Sequence, residues 1–303
     1  VNALLDLLPL PYPEAVVATG SAVLGFIAGS LAPFAVLRGR AMFGDAMSHG
    51  TLPGVALAFL FVGVKDPAVL LVGAAICALG AAALMIGLER AGRTAPDAAI
   101  GITLSASFAL GIVLLTHIAQ GGSGQQSGLD AYLFGQAAGM VVRDVWFTLI
   151  LGGLALLAIV VFFRLLRSAS FDPQFSAVAG VPTWTIDAAS TALLVIAVVL
   201  GVRTVGAILM VALLVAPCVA ARALTNRLGT LVPVSGAIGA LAGVSGALLA
   251  GRAGLPTGPV IVLLATAFAA AALLFAPRRG VLSRAWRRHA ARSARLESEQ
   301  VSR

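Results

Sequence analysis

An aspartate and a histidine stand four residues apart, at Asp45 and His49, in the run GDAMSHG of residues 44–50. The stretch that follows, TLPGVALAFLFVG, is apolar. On a helix, the i, i+4 spacing puts both side chains on one face, about 5–6 Å apart between Cβ atoms. A carboxylate and an imidazole at that separation suit one zinc, manganese or ferrous ion better than a soft cuprous ion. A plainer reading also fits: Asp45 caps the helix near its cytoplasmic end and His49 bonds to it. The choice matters because an ionisable group inside a bilayer costs several kcal/mol and usually has a task.

Other residues are weaker candidates on the same pathway. Pro53, four residues past His49, removes a helical hydrogen bond and kinks the segment. Cys218, beside Pro217 in LLVAPCVAA, offers a soft ligand, although a cysteine in an apolar run usually packs. His117 closes a span and reads as interfacial, and His289 lies in a basic tail. The two cysteines, Cys77 and Cys218, form no disulfide framework. No His-Glu-x-x-His motif is present, which excludes that type of metalloprotease. The single lysine, Lys65, is followed by Asp66, so no Gly-Lys-Ser/Thr loop exists to hold a nucleotide phosphate. No catalytic residues and no resident cofactor are expected.

The elements that carry these residues follow from composition. The chain of 303 residues is 60% hydrophobic and 11% charged, with a mean hydropathy of +1.03. A soluble domain carries roughly a quarter charged residues. Aromatics are only 6%, which disfavours a β-barrel with aromatic girdles. The fold class is therefore an all-α polytopic membrane protein with eight to nine transmembrane helices. Apolar stretches of spanning length cover residues 15–37, 46–62, 67–88, 97–117, 141–163, 183–202, 205–221, 231–250 and 256–276. The sixth and seventh are broken only at Arg203, which leaves the count open. Gly236, Gly239, Gly243 and Gly246 make a small-residue face suited to helix packing.

Charge sets the orientation. With nine spans, Arg38, Arg40, Arg90, Arg93, Arg164, Arg167, Arg222 and Arg227 fall on one side, and Lys65, Arg143, Arg203 and Arg252 on the other. The positive-inside rule then places the N-terminus outside and the C-terminus in the cytoplasm. Three regions result: an outer-surface segment 1–14, a transmembrane domain 15–276 and a basic cytoplasmic tail 277–303. The tail holds eight arginines against Glu297 and Glu299. It suits anionic membrane lipid, not nucleic acid. The first residues carry Asp6 and Glu14 without a basic run, unlike a cleavable signal. Residues 119–128, AQGGSGQQSG, read as a flexible outer loop. On the inner side, residues 168–182 read as a short helix, with Asp172 as cap, Pro173 at its first position, and Gly180 and Pro182 as its stop. Such a helix is either an interfacial linker or a docking element.

These blocks together resemble the integral membrane permease subunits of bacterial zinc and manganese ABC importers. The residues that carry the resemblance are LRGRAMFGDAMSHGTLPGVALAF (37–59), DAAIGITLSASFALGIVLL (97–115), YLFGQ (132–136), SFDPQFSAVAGVP (170–182) and VRTVGAILMVALLVAPCVAARAL (202–224). The resemblance implies a homodimer in the bacterial inner membrane. It implies a cytoplasmic ATPase subunit that hydrolyses ATP and an extracytoplasmic solute-binding protein that delivers Zn2+ or Mn2+. The family's metal-binding Asp and His fall on Asp45 and His49. Its ATPase-coupling segment falls on residues 170–181, with Asp172, Gln174, Phe175, Ala179 and Gly180 as the contact residues. Zinc is the first expectation for the cargo and manganese the second. The alternative is a secondary metal transporter driven by an ion gradient, which needs no docking helix. A third reading makes the chain a structural membrane subunit, in which Asp45 and His49 carry no metal.

Overall fold

In the computed structural model, the described residues are 11–38, 42–63, 66–92, 94–120, 135, 137–171, 183–276 and 280. Every regular element among them is helical. In chain order these are α1 (Tyr12–Val36), α2 (Phe43–Val62), α3 (Pro67–Arg90), α4 (Pro96–Gln120), α5 (Val142–Val161) and α6 (Phe163–Phe171). Then come α7 (Thr183–Val205), α8 (Ala207–Leu224), α9 (Leu228–Ala253) and α10 (Thr257–Phe275). A single 3-10 turn, Ala137–Gly139, precedes α5.

Local signals explain the helix boundaries. The Asp66 carboxylate accepts from the backbone N–H of Ala68 at 2.7 Å, and Pro67 opens α3 where no donor is needed. Asp144 accepts from the Val141 N–H at 3.1 Å and so ties down the start of α5. The α2–α3 turn begins at Gly63, whose N–H bonds to the Phe59 carbonyl at 2.8 Å.

Eight of the helices are long and apolar enough to cross a membrane, and α8 is the short remaining case. Its crossing follows from the direction of its neighbours. Along the α1–α9 seam, Ser21 opposes Gly243 and Gly25 opposes Gly239, so these two helices are antiparallel. Helix α7 begins with Asp187 paired to Arg38 at the end of α1. It ends with Arg203 paired to Asp144 at the start of α5. Because α5 runs parallel to α1, with Gly20 against Val145 and Ile27 against Gly152, α7 is antiparallel to α1 as well. Helices α7 and α9 thus run the same way, and α8 has to cross between them. Its 18 residues reach about 27 Å. Nine crossings result among the described residues.

The expected break at Arg203 is corrected. Arg203 lies inside α7, where its guanidinium is neutralised by Asp144. The chain breaks at Gly206, whose φ of 95° is open to glycine and strained for other residues. Helix α1 also starts earlier than residue 15, at Tyr12, because Pro13 suits a first turn. On the inner side the fifth span ends at Val161, and a separate short helix, α6, follows with Arg164 and Arg167 on it. The helix expected to open at Asp172 lies outside the described residues, as do residues 1–10 and almost all of the tail.

Lipid offers no hydrophobic drive between helices, so close backbone contact takes its place. The small-residue face of α9 does this against α1 and α10. A Cβ on Gly239 would stand 2.1 Å from the Gly25 carbonyl oxygen, and one on Gly246 2.6 Å from Cα of Ile261. The α2–α3 hairpin uses the same device at Gly54 and Gly73.

Candidate metal site in the second helix

Helix α2 is built to enter a crowded part of the bundle. Gly44 faces Leu214 of α8, Gly50 faces Ala78 and Ala81 of α3, and Gly54 faces Gly73. The hydroxyls of the segment are satisfied locally. Ser48 donates to the Gly44 carbonyl at 2.7 Å and Thr51 to the Ser48 carbonyl at 2.6 Å. Pro53 lies inside the helix and brings no N–H to the His49 carbonyl, which loses its i+4 donor. The Pro53 ring packs on Gly111 of α4.

On this scaffold, His49 Nε2 stands 3.5 Å from Asp45 Oδ1. The histidine side chain is 12% exposed and the aspartate 27%, so the carboxylate is the more open of the two. The His49 ring meets Phe108 of α4 edge to face, with centroids 5.1 Å apart and planes at 83°. His49 Nδ1 is buried and has no hydrogen-bond partner among the described residues.

The depth of the pair departs from the capping alternative. Gly50 lies against Ala78 and Ala81, near the midpoint of the 24-residue α3. Phe108 is the central residue of the 25-residue α4. His49 is therefore level with the middle of its neighbours, and Asp45 is one turn inward. Nor does Asp45 cap the helix: the N-cap position is Met42, and no side chain bonds there. The carboxylate instead sits in the first turn, where the positive end of the helix dipole favours it. Within a single chain the pair is incomplete as a metal cage. No group of three or more His, Cys, Asp or Glu side chains gathers to hold an ion among the described residues.

The remaining candidates are not brought to the pair. Cys218 is fully buried in α8 and joins no such group. His117 lies exposed in the last turn of α4. Asp172, Gln174, Phe175, Ala179, Gly180 and His289 lie outside the described residues. Three contacts were missed in the sequence: Phe108 on His49, Asp144 with Arg203, and Arg38 with Asp187 and Ser190, the last at 3.1 Å. The two ion pairs join opposite charges at span ends on the same side, and adding the acidic residues to the map of basic ones was the signal that could have found them. Another inner-side contact, Arg90 over the Trp184 ring at 5.8 Å, ties α3 to α7.

The model of the ABC 3 transport family matches residues 14–276. The chain is 41% identical over 272 residues to the manganese transport system membrane protein MntC of Bacillus subtilis, covering 89% of this chain and 62% of that protein. It is 41% identical over 273 residues to the zinc transport system membrane protein TroC of Treponema pallidum, covering 90% of this chain and 92% of that protein. Among solved structures it resembles PsaBC from Streptococcus pneumoniae in complex with Fab, with a TM-score of 0.80 and 32% identity, covering 92% of this chain and 97% of that one.

Proposed function

The chain belongs to the ABC 3 transport family, as a multi-pass membrane permease of an importer for manganese or zinc, and from that premise we propose that Asp45 and His49 carry the ion. Zinc is the first cargo in this reading and manganese the second. Relatives named for each metal resemble the chain equally closely, and both ions accept oxygen and imidazole nitrogen. The observation that carries the reading is the 3.5 Å pair, with His49 level with the middle of α3 and α4. An ionisable pair within the span, with one ring nitrogen unpartnered among the described residues, calls for a function.

Two ligands do not complete a zinc site, which takes four. A two-fold dimer would bring a second Asp45 and a second His49 to the axis. Two carboxylates would then balance a divalent charge, so that the ion crosses the low-dielectric layer nearly neutral. The work is supplied from outside the chain, by a cytoplasmic ATPase docked on residues 170–181 and by an extracytoplasmic binding protein that delivers the ion. A gradient-driven carrier is the reading that family membership disfavours.

The test is metal uptake into proteoliposomes containing this permease, with and without the partner ATPase and ATP. Uptake that depends on both, and that disappears in His49→Ala, is the expected result. Equal uptake without ATP, driven by a pH or sodium gradient, would return the carrier reading.

A further inference from the structure

A metal-binding histidine almost always donates its second ring nitrogen to a carboxylate, a carbonyl or water, and this fixes the ring and raises its basicity. His49 has no such partner: Nδ1 is buried without a hydrogen bond among the described residues. The nearby hydroxyls of Ser48 and Thr51 are engaged by backbone carbonyls. What the ring does have is Phe108, set edge to face at 5.1 Å and 83°, a geometry favoured by the quadrupoles of two aromatic rings. Phe108 comes from a different helix, at the centre of α4, and remains 37% exposed on its other side. Its neighbour one turn on, Gly111, packs on Leu52 and Pro53 and so fixes α4 against α2 at that level.

We propose that Phe108 is the positioning residue for His49, holding the imidazole by an aromatic contact where a hydrogen bond would ordinarily do so. This rests on the reading of Asp45 and His49 as ligands of the transported ion. One consequence follows from the geometry: the ring is oriented with Nε2 toward Asp45.

The experiment uses the assembled permease, ATPase and binding protein in proteoliposomes, with Zn2+ and Mn2+ as the probes. Phe108→Leu keeps an apolar side chain and removes the ring, whereas Phe108→Trp keeps an aromatic face. Phe108→Leu is expected to lower the maximal uptake rate about tenfold, the lower end of the loss seen when an outer partner of a metal ligand is removed. The half-saturating concentration of metal-loaded binding protein is expected not to move, because delivery takes place at the outer surface. Phe108→Trp is expected to recover most of the rate. His49→Ala is run alongside. If it abolishes uptake while Phe108→Leu transports at the wild-type rate, or while Phe108→Trp is as slow as Phe108→Leu, the positioning role is wrong. If His49→Ala itself transports normally, the ligand reading has failed instead. Membrane yield and dimer content of each variant show whether a lost rate is a lost fold. A Phe108→Leu protein that assembles poorly while Phe108→Trp transports poorly would also overturn the proposal, since the ring would then serve packing alone.

Discussion

Gly25 and Gly239 meet backbone to backbone across the α1–α9 seam. A Cβ on Gly25 would stand 2.2 Å from the Gly239 carbonyl oxygen, and one on Gly239 would stand 2.1 Å from the Gly25 carbonyl oxygen. Neither obstacle is a flexible side chain that could swing away. Gly239→Ala is therefore expected to destabilise the purified permease by about 1–3 kcal/mol, the usual cost of overpacking. Gly153→Ala on α5, where nothing stands within 4 Å, is expected to be neutral or stabilising by up to about 1 kcal/mol from helix propensity. Thermal unfolding in detergent compares the two, and equal effects would contradict the packing argument.

Arg203 and Asp144 join the outer ends of α7 and α5 at 2.6 Å, with the aspartate largely buried. Arg203→Met leaves that carboxylate without its charge partner, and its expected cost is about 2 kcal/mol, typical of a hydrogen bond to a charged group. Adding Asp144→Asn, whose amide oxygen can still accept from the Val141 N–H, is expected to give part of the loss back, because no uncompensated charge then remains. A double-mutant cycle on thermal stability is the measurement, and strict additivity would mean that the pair is not coupled.

Asp45→Asn preserves the shape of the side chain and removes its charge. On the proposed mechanism it abolishes uptake, as His49→Ala does, while both proteins insert and form dimers normally. Neither residue holds the helix start: Met42 occupies the N-cap and no side chain bonds there. Uptake and size-exclusion profiles of the same preparations separate transport from assembly, and wild-type uptake by either variant would remove the site.

Phe175→Asp tests the coupling segment. A charge desolvated in the ATPase contact is costly, so the variant is expected to insert normally, to import no metal and to leave ATP hydrolysis running uncoupled. Import at the wild-type rate would dissociate residues 170–181 from docking.

Much of this architecture was legible in the chain because membrane spans announce themselves by length and hydropathy. The pairing of Asp45 with His49 followed from helical spacing alone. Depth did not. That spacing is the same at a helix mouth and at its centre, and only the contacts of His49 with Phe108 and of Gly50 with Ala78 and Ala81 put the histidine level with mid-span. The break at Gly206 was hidden for a related reason. Arg203 looked like the interruption until its partner, 59 residues earlier in the chain, was in view. Phe108 stood within a recognisable block of sequence, but nothing in an apolar helix distinguishes one phenylalanine that faces a histidine from another that faces lipid.

The α1–α9 seam also governs how the permease can move. Backbones that step into each other at Ser21, Gly25 and Gly29 act like meshed teeth, with no room to slide. Those two helices travel as one lever, and alternation between outward and inward access has to be absorbed at more compliant seams. A covalent link between α1 and α9 should then leave import intact, and import lost in the linked protein would show that this seam has to open.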